Sequence, residues 1–250
     1  MRVYHFLPTV HALEDIEKNR IKISEIDQLN DRFELWCVSQ EDQRLRPALR
    51  KYKEEMSERF GMICFCKQWH NPLLWSHYAD KHRGMCLGFD VDDRGLKAVN
   101  YVAERSNLKF PLTKESTDEL LFTKYRDWQY EEELRNWFQF DKREDGHYFY
   151  PFDGFVQLRE VIAGPLCTES KDRIKETLKD YPEGVSVTKA RLAFKTFRVV
   201  ENLKGFLQRP RANSNRVVST VLSVWYPLRL AGLAELADAP DSKSGGRKAV

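Results

Sequence analysis

The chain has 250 residues, of which 42% are hydrophobic and 12% aromatic, so it can bury a sizeable core in one large or two small domains. Its 41 lysines and arginines nearly balance 38 aspartates and glutamates, which argues against a strong overall nucleic-acid footprint and against an acidic, disordered chain. Five cysteines and a strand-like N-terminus predict free thiols in the cytoplasm. The most apolar run, residues 217–236, contains Pro227, Arg229 and Glu235, so no transmembrane helix is predicted.

The hydrophobic pattern of the first ninety residues predicts strands that alternate with helices. The predicted strands cover residues 2–6, 21–23, 62–66 and 85–89, and the predicted helices begin with residues 9–18 and 41–59. A further short helix begins at Pro72, where Asn71 can cap it, and we expect Gly84 just past its end. The last two strands are too close in sequence for a standard parallel crossover.

The remaining chain continues this alternation up to about residue 202. Strands are predicted within residues 97–102, 155–163 and 185–200, and helices over residues 117–125, 127–138 and 170–179, the last capped by Ser170. This order favours an α+β fold over a doubly wound parallel sheet. We therefore predict one domain over residues 1–202 and a mostly irregular tail over residues 203–250.

Residues 75–78 concentrate side chains that suit a ligand site. Trp75, Ser76, His77 and Tyr78 follow one another directly before a predicted buried strand. Such groups can hold a flat, partly polar ligand by stacking on one side and hydrogen bonding on the other. The simpler interpretation is that Trp75 and Tyr78 are core residues and that His77 lies at the surface.

Other candidate residues lie far from this segment. His5 follows Tyr4 in the first strand and can present its ring to a crevice, although a half-buried structural histidine is the simpler interpretation. Glu160 sits inside an apolar strand, so it lies either at a site or on a solvated sheet face. On a helix, Glu131 and Arg135 would form an i,i+4 ion pair, or Arg135 would hold a carboxylate or phosphate.

A metal site is not predicted. Cys64, Cys66, His70, His77 and His82 are close in sequence, but no Cys-x-x-Cys pair and no His-Glu-x-x-His motif occurs. Glycine-rich phosphate loops and the Gly-x-Ser-x-Gly nucleophile motif are also absent from the sequence.

Four segments together resemble the bacterial family called domain of unknown function 2971, over about residues 3–200. They are Leu29-Asn-Asp-Arg-Phe-Glu34, Cys64-Phe-Cys66, Leu74-Trp-Ser-His-Tyr-Ala-Asp80 with Gly84, and Trp128-Gln-Tyr-Glu-Glu-Glu-Leu-Arg135. The family name implies no activity.

The order of the pieces is more distantly similar to the ADP-ribosyltransferase superfamily, which implies a split sheet. The matching pieces are Val3-Tyr-His-Phe6, Ser76-His-Tyr78 with its following glycine, and Arg159-Glu-Val-Ile-Ala163. Ser and Tyr are one position closer than in that superfamily, and Leu158 stands where the toxin-type pattern has a second Glu or Gln. The resemblance implies that NAD is the substrate, that Glu160, Tyr78 and His5 are catalytic, and that a carboxylate stabilises an oxocarbenium-like ribose.

The resemblance thus predicts an NAD-dependent ADP-ribosyltransferase or NAD glycohydrolase. It would be a bacterial toxin or phage-defence effector with an unknown protein or nucleic-acid acceptor and an antitoxin or defence partner, away from membranes. The residues expected to bind NAD share an aromatic or polar tip near these motifs: Tyr4, Trp75, Ser76, His77, Glu131 and Arg135. The alternative is a non-catalytic binding or immunity protein that contacts a protein or nucleic acid.

The C-terminal tail has two unusual features. Its basic residues Lys204, Arg209, Arg211 and Arg216 can contact phosphates or can simply be solvated. Residues 237–246 resemble the accidental translation of a leucine transfer-RNA gene, because permitted codons for residues 240–245 spell a stem and loop. Either interpretation predicts that the tail is dispensable for the fold.

Overall fold

The computed structural model describes residues 1–107, 113–152, 155–181 and 184–206. A ten-stranded mixed sheet in the order β12-β11-β10-β4-β1-β3-β2-β9 dominates it, with β8 added to β3 and β5 added to β8. The strands β6 and β7 form a separate parallel pair. The strand bounds are β1 (Arg2–Leu7), β2 (Arg20–Glu25), β3 (Phe60–Cys66), β4 (Met85–Val91), β5 (Lys97–Ala98), β6 (Asn100–Val102), β7 (Thr123–Tyr125), β8 (Glu133–Gln139), β9 (Tyr148–Pro151), β10 (Val156–Ala163), β11 (Ser186–Leu192) and β12 (Val199–Glu201).

Helices cover both faces of this sheet. They are α1 (Thr9–Glu17), α2 (Leu45–Arg59), α3 (Pro72–Tyr78), α4 (Lys114–Leu121) and α5 (Lys171–Thr177). The predicted caps of α3 and α5 are confirmed, because the side chains of Asn71 and Ser170 accept hydrogen bonds from backbone N–H groups of the first turn. In the part of the chain that is described, no helix has both the length and the apolarity to cross a membrane.

The period-2 alternation of the central strands divides the core into two layers. Val3 and Leu87 lie on one face of the sheet, in the main core beneath α1 and α5. Phe6 and Ile162 point to the opposite face and pack around the fully buried Trp75 of α3. The helix between β3 and β4 therefore crosses over β1, which pairs with both of these strands.

The two halves of the sheet separate beside β1. The strand β1 pairs with β4 at six positions but with β3 at a single position, Tyr4 opposite Cys66. Beyond this pair β1 diverges from β3, and β2 takes its place against the other end of β3, with Ser24 opposite Met62. The divergence leaves an opening in the sheet between β1 and β3. Side chains, and not paired backbone groups, occupy this opening.

The helix predicted over residues 127–138 is wrong. A short 3-10 helix, Arg126–Glu131, ends at Glu132, whose φ of 46° breaks the helical path, and the chain continues as β8. This strand pairs with all seven residues of β3, so sheet pairing overrides the helical spacing of the charges. The helix predicted over residues 117–125 is also corrected, since α4 ends at Leu121 and β7 follows.

Gly84 has a different role from the expected one. The helix α3 ends six residues earlier, and three consecutive residues with positive φ, Asp80, Lys81 and His82, carry the turn. A Cβ at Gly84 would lie 2.1 Å from the carbonyl oxygen of Leu7, so glycine is required for close backbone approach.

The described residues form a mixed α+β molecule, as predicted. One or two strands were expected within residues 185–200, and the structure has two, which form a hairpin; residues 97–102, expected as one strand, are divided between two. Residues 207–250 lie outside the described part of the chain, and with them most of the predicted tail and the basic residues Arg209, Arg211 and Arg216.

Candidate functional site

A pocket of about 140 Å³ opens where β1 and β3 separate. A dry cavity of roughly 150 Å³ can hold one benzene ring, so this pocket is large enough for a single six-membered ring and too small for a dinucleotide. Aromatic and apolar side chains form most of its wall, and a group of charged residues closes one side. The residues with polar side chains in the wall are Tyr4, His5, Ser24, Asn30, Glu34, Tyr78, Lys124, Glu131, Glu133 and Arg135.

His5 spans the opening between the two strands. Its Nδ1 atom lies 2.8 Å from the backbone carbonyl oxygen of Cys64, so Nδ1 carries a proton and donates it. Burial lowers the pKa of His5, and the backbone hydrogen bond opposes this effect only partly. The ring is therefore neutral near pH 7 and its Nε2 atom is a hydrogen-bond acceptor.

Tyr78, at the end of α3, reaches the pocket from the helical layer. Its hydroxyl donates a short hydrogen bond to Glu131 and accepts one from Asn30 at 2.9 Å. Burial and the negative charge of Glu131 raise the pKa of Tyr78 far above its ordinary value. The phenol therefore stays protonated at neutral pH.

The carboxylate of Glu131 is shared between this phenol and a buried lysine. Lys124 lies 2.5 Å from Glu131 Oε2 and 3.1 Å from Glu133 Oε2. Burial raises the pKa of Glu131, although the positive charge of Lys124 opposes that rise. Among the polar groups in the wall, Glu131 is the carboxylate that contacts Tyr78 directly.

Arg135 forms the inner wall of the pocket and is only 1% exposed. Its five N–H groups donate to Glu34, to Glu133 and to the carbonyl oxygen of Leu121, at distances from 2.6 to 3.1 Å. Burial alone would raise the pKa of Glu133, but the charges of Arg135 and Lys124 lower it to about 2. Because every guanidinium donor is used within the chain, Arg135 fixes the two carboxylates and leaves no donor for a ligand.

Arg135 and Glu131 are thus not partners in an ion pair on one helix, as their spacing suggested. They lie on β8 and on the preceding 3-10 helix, with Lys124 and Glu133 between them. The carboxylates that Arg135 holds belong to the chain itself.

Glu160 lies beside Tyr4 but is not part of the pocket wall. Gly88 of β4 is paired with Tyr4 on one side and with Glu160 on the other. A Cβ at Gly88 would lie 2.9 Å from Glu160 Cβ and 3.2 Å from Tyr4 Cε1. The absence of a side chain at Gly88 therefore lets the phenol and the carboxylate meet over the sheet. Arg2 is the nearest cation, with its Nη1 atom 3.6 Å from the carboxylate.

Burial has the largest effect on the pKa values of both Glu160 and Tyr4. It raises the pKa of Glu160, while the nearby charge of Arg2 opposes the rise. Burial and the charge of Glu160 raise the pKa of Tyr4 to about 12. Tyr4 belongs both to this pair and to the pocket wall, so it connects the two groups of residues.

Besides Glu160, three sequence candidates lie outside the pocket wall. Trp75 is fully buried and its Nε1 donates to the carbonyl oxygen of Trp69 at 2.6 Å. The hydroxyl of Ser76 is 3.0 Å from His82 Nε2 at the surface. His77 is exposed and its ring lies 6.0 Å from that of Tyr130.

Sequence reasoning missed Lys124, Glu133 and Glu34 as parts of the site. The available signal was the spacing of Glu131, Glu133 and Arg135, which recur at every second position as in a strand. No local signal identified Glu34, because its contact with Arg135 joins residues that are 101 positions apart.

Within the described ranges, no group of three or more His, Cys, Asp or Glu side chains is arranged to hold a metal ion. The five thiols are free, and burial raises the pKa of the pocket residues Cys64 and Cys66. The site therefore offers acids, phenols and a neutral imidazole as its reactive groups.

Comparisons with family models, with curated proteins and with solved structures gave no match to this chain.

Proposed function

We propose that the protein binds NAD at the opening between β1 and β3 and cleaves its nicotinamide–ribose bond. The observation that carries the proposal is that His5, Tyr4 and Tyr78, from distant parts of the chain, line one pocket of single-ring size. Glu160 lies one glycine away from this wall, next to Tyr4. The nicotinamide ring would occupy the pocket and the remainder of the dinucleotide would lie outside it.

The chemistry needs an acid beside the ribose and a polar aromatic pocket for the leaving group. When the C1′–N1 bond breaks, its electron pair leaves with nicotinamide, whose ring nitrogen becomes neutral, and the ribose acquires oxocarbenium character. A carboxylate at Glu160 would stabilise that positive charge. An acceptor hydroxyl or water then attacks C1′ and loses its proton to a base, completing transfer or hydrolysis.

The pocket residues would have distinct roles in this reaction. Tyr78 would stack on or hydrogen bond to nicotinamide while Glu131 holds its hydroxyl in place. His5 would accept a hydrogen bond at Nε2, because its Nδ1 proton is used by Cys64. Arg135 would act as a positioning residue for the acidic wall.

The test is nicotinamide release from labelled NAD by the purified chain, alone and with cell extract. We expect release by the wild type and a loss of at least about 100-fold in Glu160→Gln and of about 10-fold in Tyr78→Phe, in line with general-base and charge-stabilisation effects. The control is Glu176→Gln, an exposed acid on α5. Free ADP-ribose would indicate hydrolysis, and labelled macromolecules would indicate transfer.

The proposal is wrong if the wild type releases no nicotinamide in either condition, or if Glu160→Gln is as active as Glu176→Gln. Expression in bacteria provides a second readout for the expected toxin or defence role. Growth should slow with the wild-type chain and recover with Glu160→Gln.

A non-catalytic binding protein is the second candidate, and the size of the pocket favours it. A volume of about 140 Å³ admits one ring without requiring any reaction at the ribose. Calorimetric titration separates the two functions. A binding protein would bind nicotinamide or a similar ring without releasing it from NAD, and Glu160→Gln would not alter that affinity.

A further inference from the structure

The hairpin formed by β11 and β12 has large apolar side chains in solvent at its tip. Phe194 and Phe197 lie in the connecting loop and are 88% and 99% exposed, and Leu203 beyond β12 is 88% exposed. The tip is ordered by strand pairing of Leu192 with Val199 and by a hydrogen bond from the Ala193 N–H to the Arg198 carbonyl. A folded protein seldom leaves two almost fully exposed phenylalanines in one short loop without a binding role.

The same tip is strongly basic. Its cations are Arg191, Lys195 and Arg198, and residues 191–199 contain no carboxylate side chain. Within the described ranges, none of these three cations lies within ion-pair distance of a carboxylate. The guanidinium of Arg191 lies 4.5 Å from the Phe194 ring, so one aromatic face already carries a cation.

The hairpin leads back from this tip to the candidate site. The backbone of Val199 exchanges hydrogen bonds with His70, whose side chain and carbonyl group lie 2.8 and 2.9 Å away. Val199 itself packs in the same core layer as Trp75 and Phe6. The hairpin tip is therefore anchored, through Val199, to the core layer that also contains Trp75 of α3.

The geometry points to single-stranded nucleic acid as the partner of this hairpin tip, with bases stacked on Phe194 and Phe197 and phosphates against Lys195 and Arg198. Every base has a flat face that can stack on an aromatic ring, and every nucleotide carries a phosphate that a cation can contact. A single strand therefore complements a surface on which rings and cations lie close together. A duplex offers its phosphates but hides its base faces, so it should bind less well. The inference concerns binding and needs no NAD, so it stands or falls separately from the proposed reaction.

The experiment is fluorescence anisotropy with a labelled oligothymidine of about 12 nucleotides and its RNA counterpart, within the usual site size of such proteins. We expect the full chain to bind at least one of them, and the tighter one identifies the natural polymer. Phe197→Ala and Phe194→Ala should each weaken binding by about fivefold or more. Phe33→Ala is the matched control, because Phe33 is also exposed but lies in a different loop.

Salt dependence tests the phosphate contacts independently. Lys195→Ala and Arg198→Ala should each reduce the slope of log affinity against log salt concentration by about 0.7. The phenylalanine variants should leave that slope unchanged. Thermal unfolding of each variant should match the wild type, since the replaced side chains are exposed.

Three results would overturn the inference. The first is that the wild-type chain binds neither oligonucleotide. The second is that Phe197→Ala binds as tightly as Phe33→Ala, and the third is that a duplex binds as tightly as the single strand. Binding to phosphatidylserine vesicles is measured in parallel. If Phe197→Ala abolishes vesicle binding and leaves oligonucleotide binding intact, the tip binds lipid and the inference is also overturned.

Discussion

Arg135 shows how a single side chain can determine the shape of a site that it does not serve chemically. Its guanidinium is saturated by Glu34, Glu133 and a backbone carbonyl, so its contribution is to hold two carboxylates at fixed positions in the wall. Such a buried network is stable only while every member keeps its partner, because desolvated charges are costly when they are alone.

Replacing this arginine should therefore destabilise the protein severely. We expect Arg135→Ala to lower the free energy of unfolding by about 3–5 kcal/mol, since it leaves Glu34 buried without its ion-pair partner and Glu133 with Lys124 alone. Urea unfolding measures the change. Arg44→Ala is the control, because Arg44 pairs with Asp42 in full solvent and its loss should not change stability measurably. A loss below about 1 kcal/mol for Arg135→Ala would contradict this account.

Asp15 in α1 is a buried acid that, unlike Glu34 and Glu133, lowers stability when it is ionised. Burial raises its pKa to about 7, the charge of Arg20 opposes the rise, and its Oδ2 atom has no hydrogen-bond partner. The folded state thus keeps a proton that the unfolded state releases near pH 4. The free energy of unfolding must fall as pH rises from about 4 to 7.

Removing the ionisable group should remove this loss. The rise of the pKa of Asp15 from 3.8 to about 7 corresponds to about 4 kcal/mol. Asp15→Asn should therefore be more stable than the wild type at pH 8 by about 2–4 kcal/mol. The difference should vanish near pH 4. Urea unfolding at the two pH values, with the exposed Asp180→Asn as control, provides the measurement. An equal effect at both pH values would show that ionisation of Asp15 is not responsible.

At the scale of elements, the junction between α3, β1 and β4 depends on close backbone contact. A Cβ at Gly84 would collide with the Leu7 carbonyl at 2.1 Å, and Gly164 donates to the Gly84 carbonyl at 2.9 Å. Backbone atoms cannot rotate away as a side chain can, so β1, β4 and β10 would have to move together.

Gly84→Ala should accordingly lower the free energy of unfolding by about 3 kcal/mol or more, at the upper end of overpacking effects. Gly146→Ala is the comparison, because Gly146 has open space around it but a φ of +82°. That substitution should cost only about 1–2 kcal/mol, from backbone strain alone. Thermal unfolding of both variants shows which of them loses more stability. Equal losses of stability would refute the steric explanation.

The elements also show which features the sequence can predict. The caps of α3 and α5 and the strand β10 depend on local chemistry, and they were predicted close to their observed bounds. The strand β8 was predicted as a helix because its charges recur at helical spacing as well, and only its pairing with β3 decides between the two. His5 and Tyr78 were recognisable by type, whereas Glu34 reaches the pocket through a contact with Arg135, 101 positions away.

At the scale of the whole molecule, the charged wall and both core layers lie within residues 1–206. We therefore expect a chain cut after Phe206 to unfold within about 4 °C of the full chain, which corresponds to about 1–2 kcal/mol for a protein of this size. Scanning calorimetry makes the comparison. Aggregation of the shortened chain, or a much lower unfolding temperature, would show that residues 207–250 contribute to the fold.

The central position of β1 has a consequence for biosynthesis. Residues 2–7 hydrogen bond to residues 85–90, and these pair in turn with residues 156–163. The middle of the sheet therefore cannot close until the ribosome has released more than half of the polypeptide. Until then one edge of β4 exposes unpaired amide and carbonyl groups, so we expect nascent chains to need chaperones and the sheet to assemble slowly.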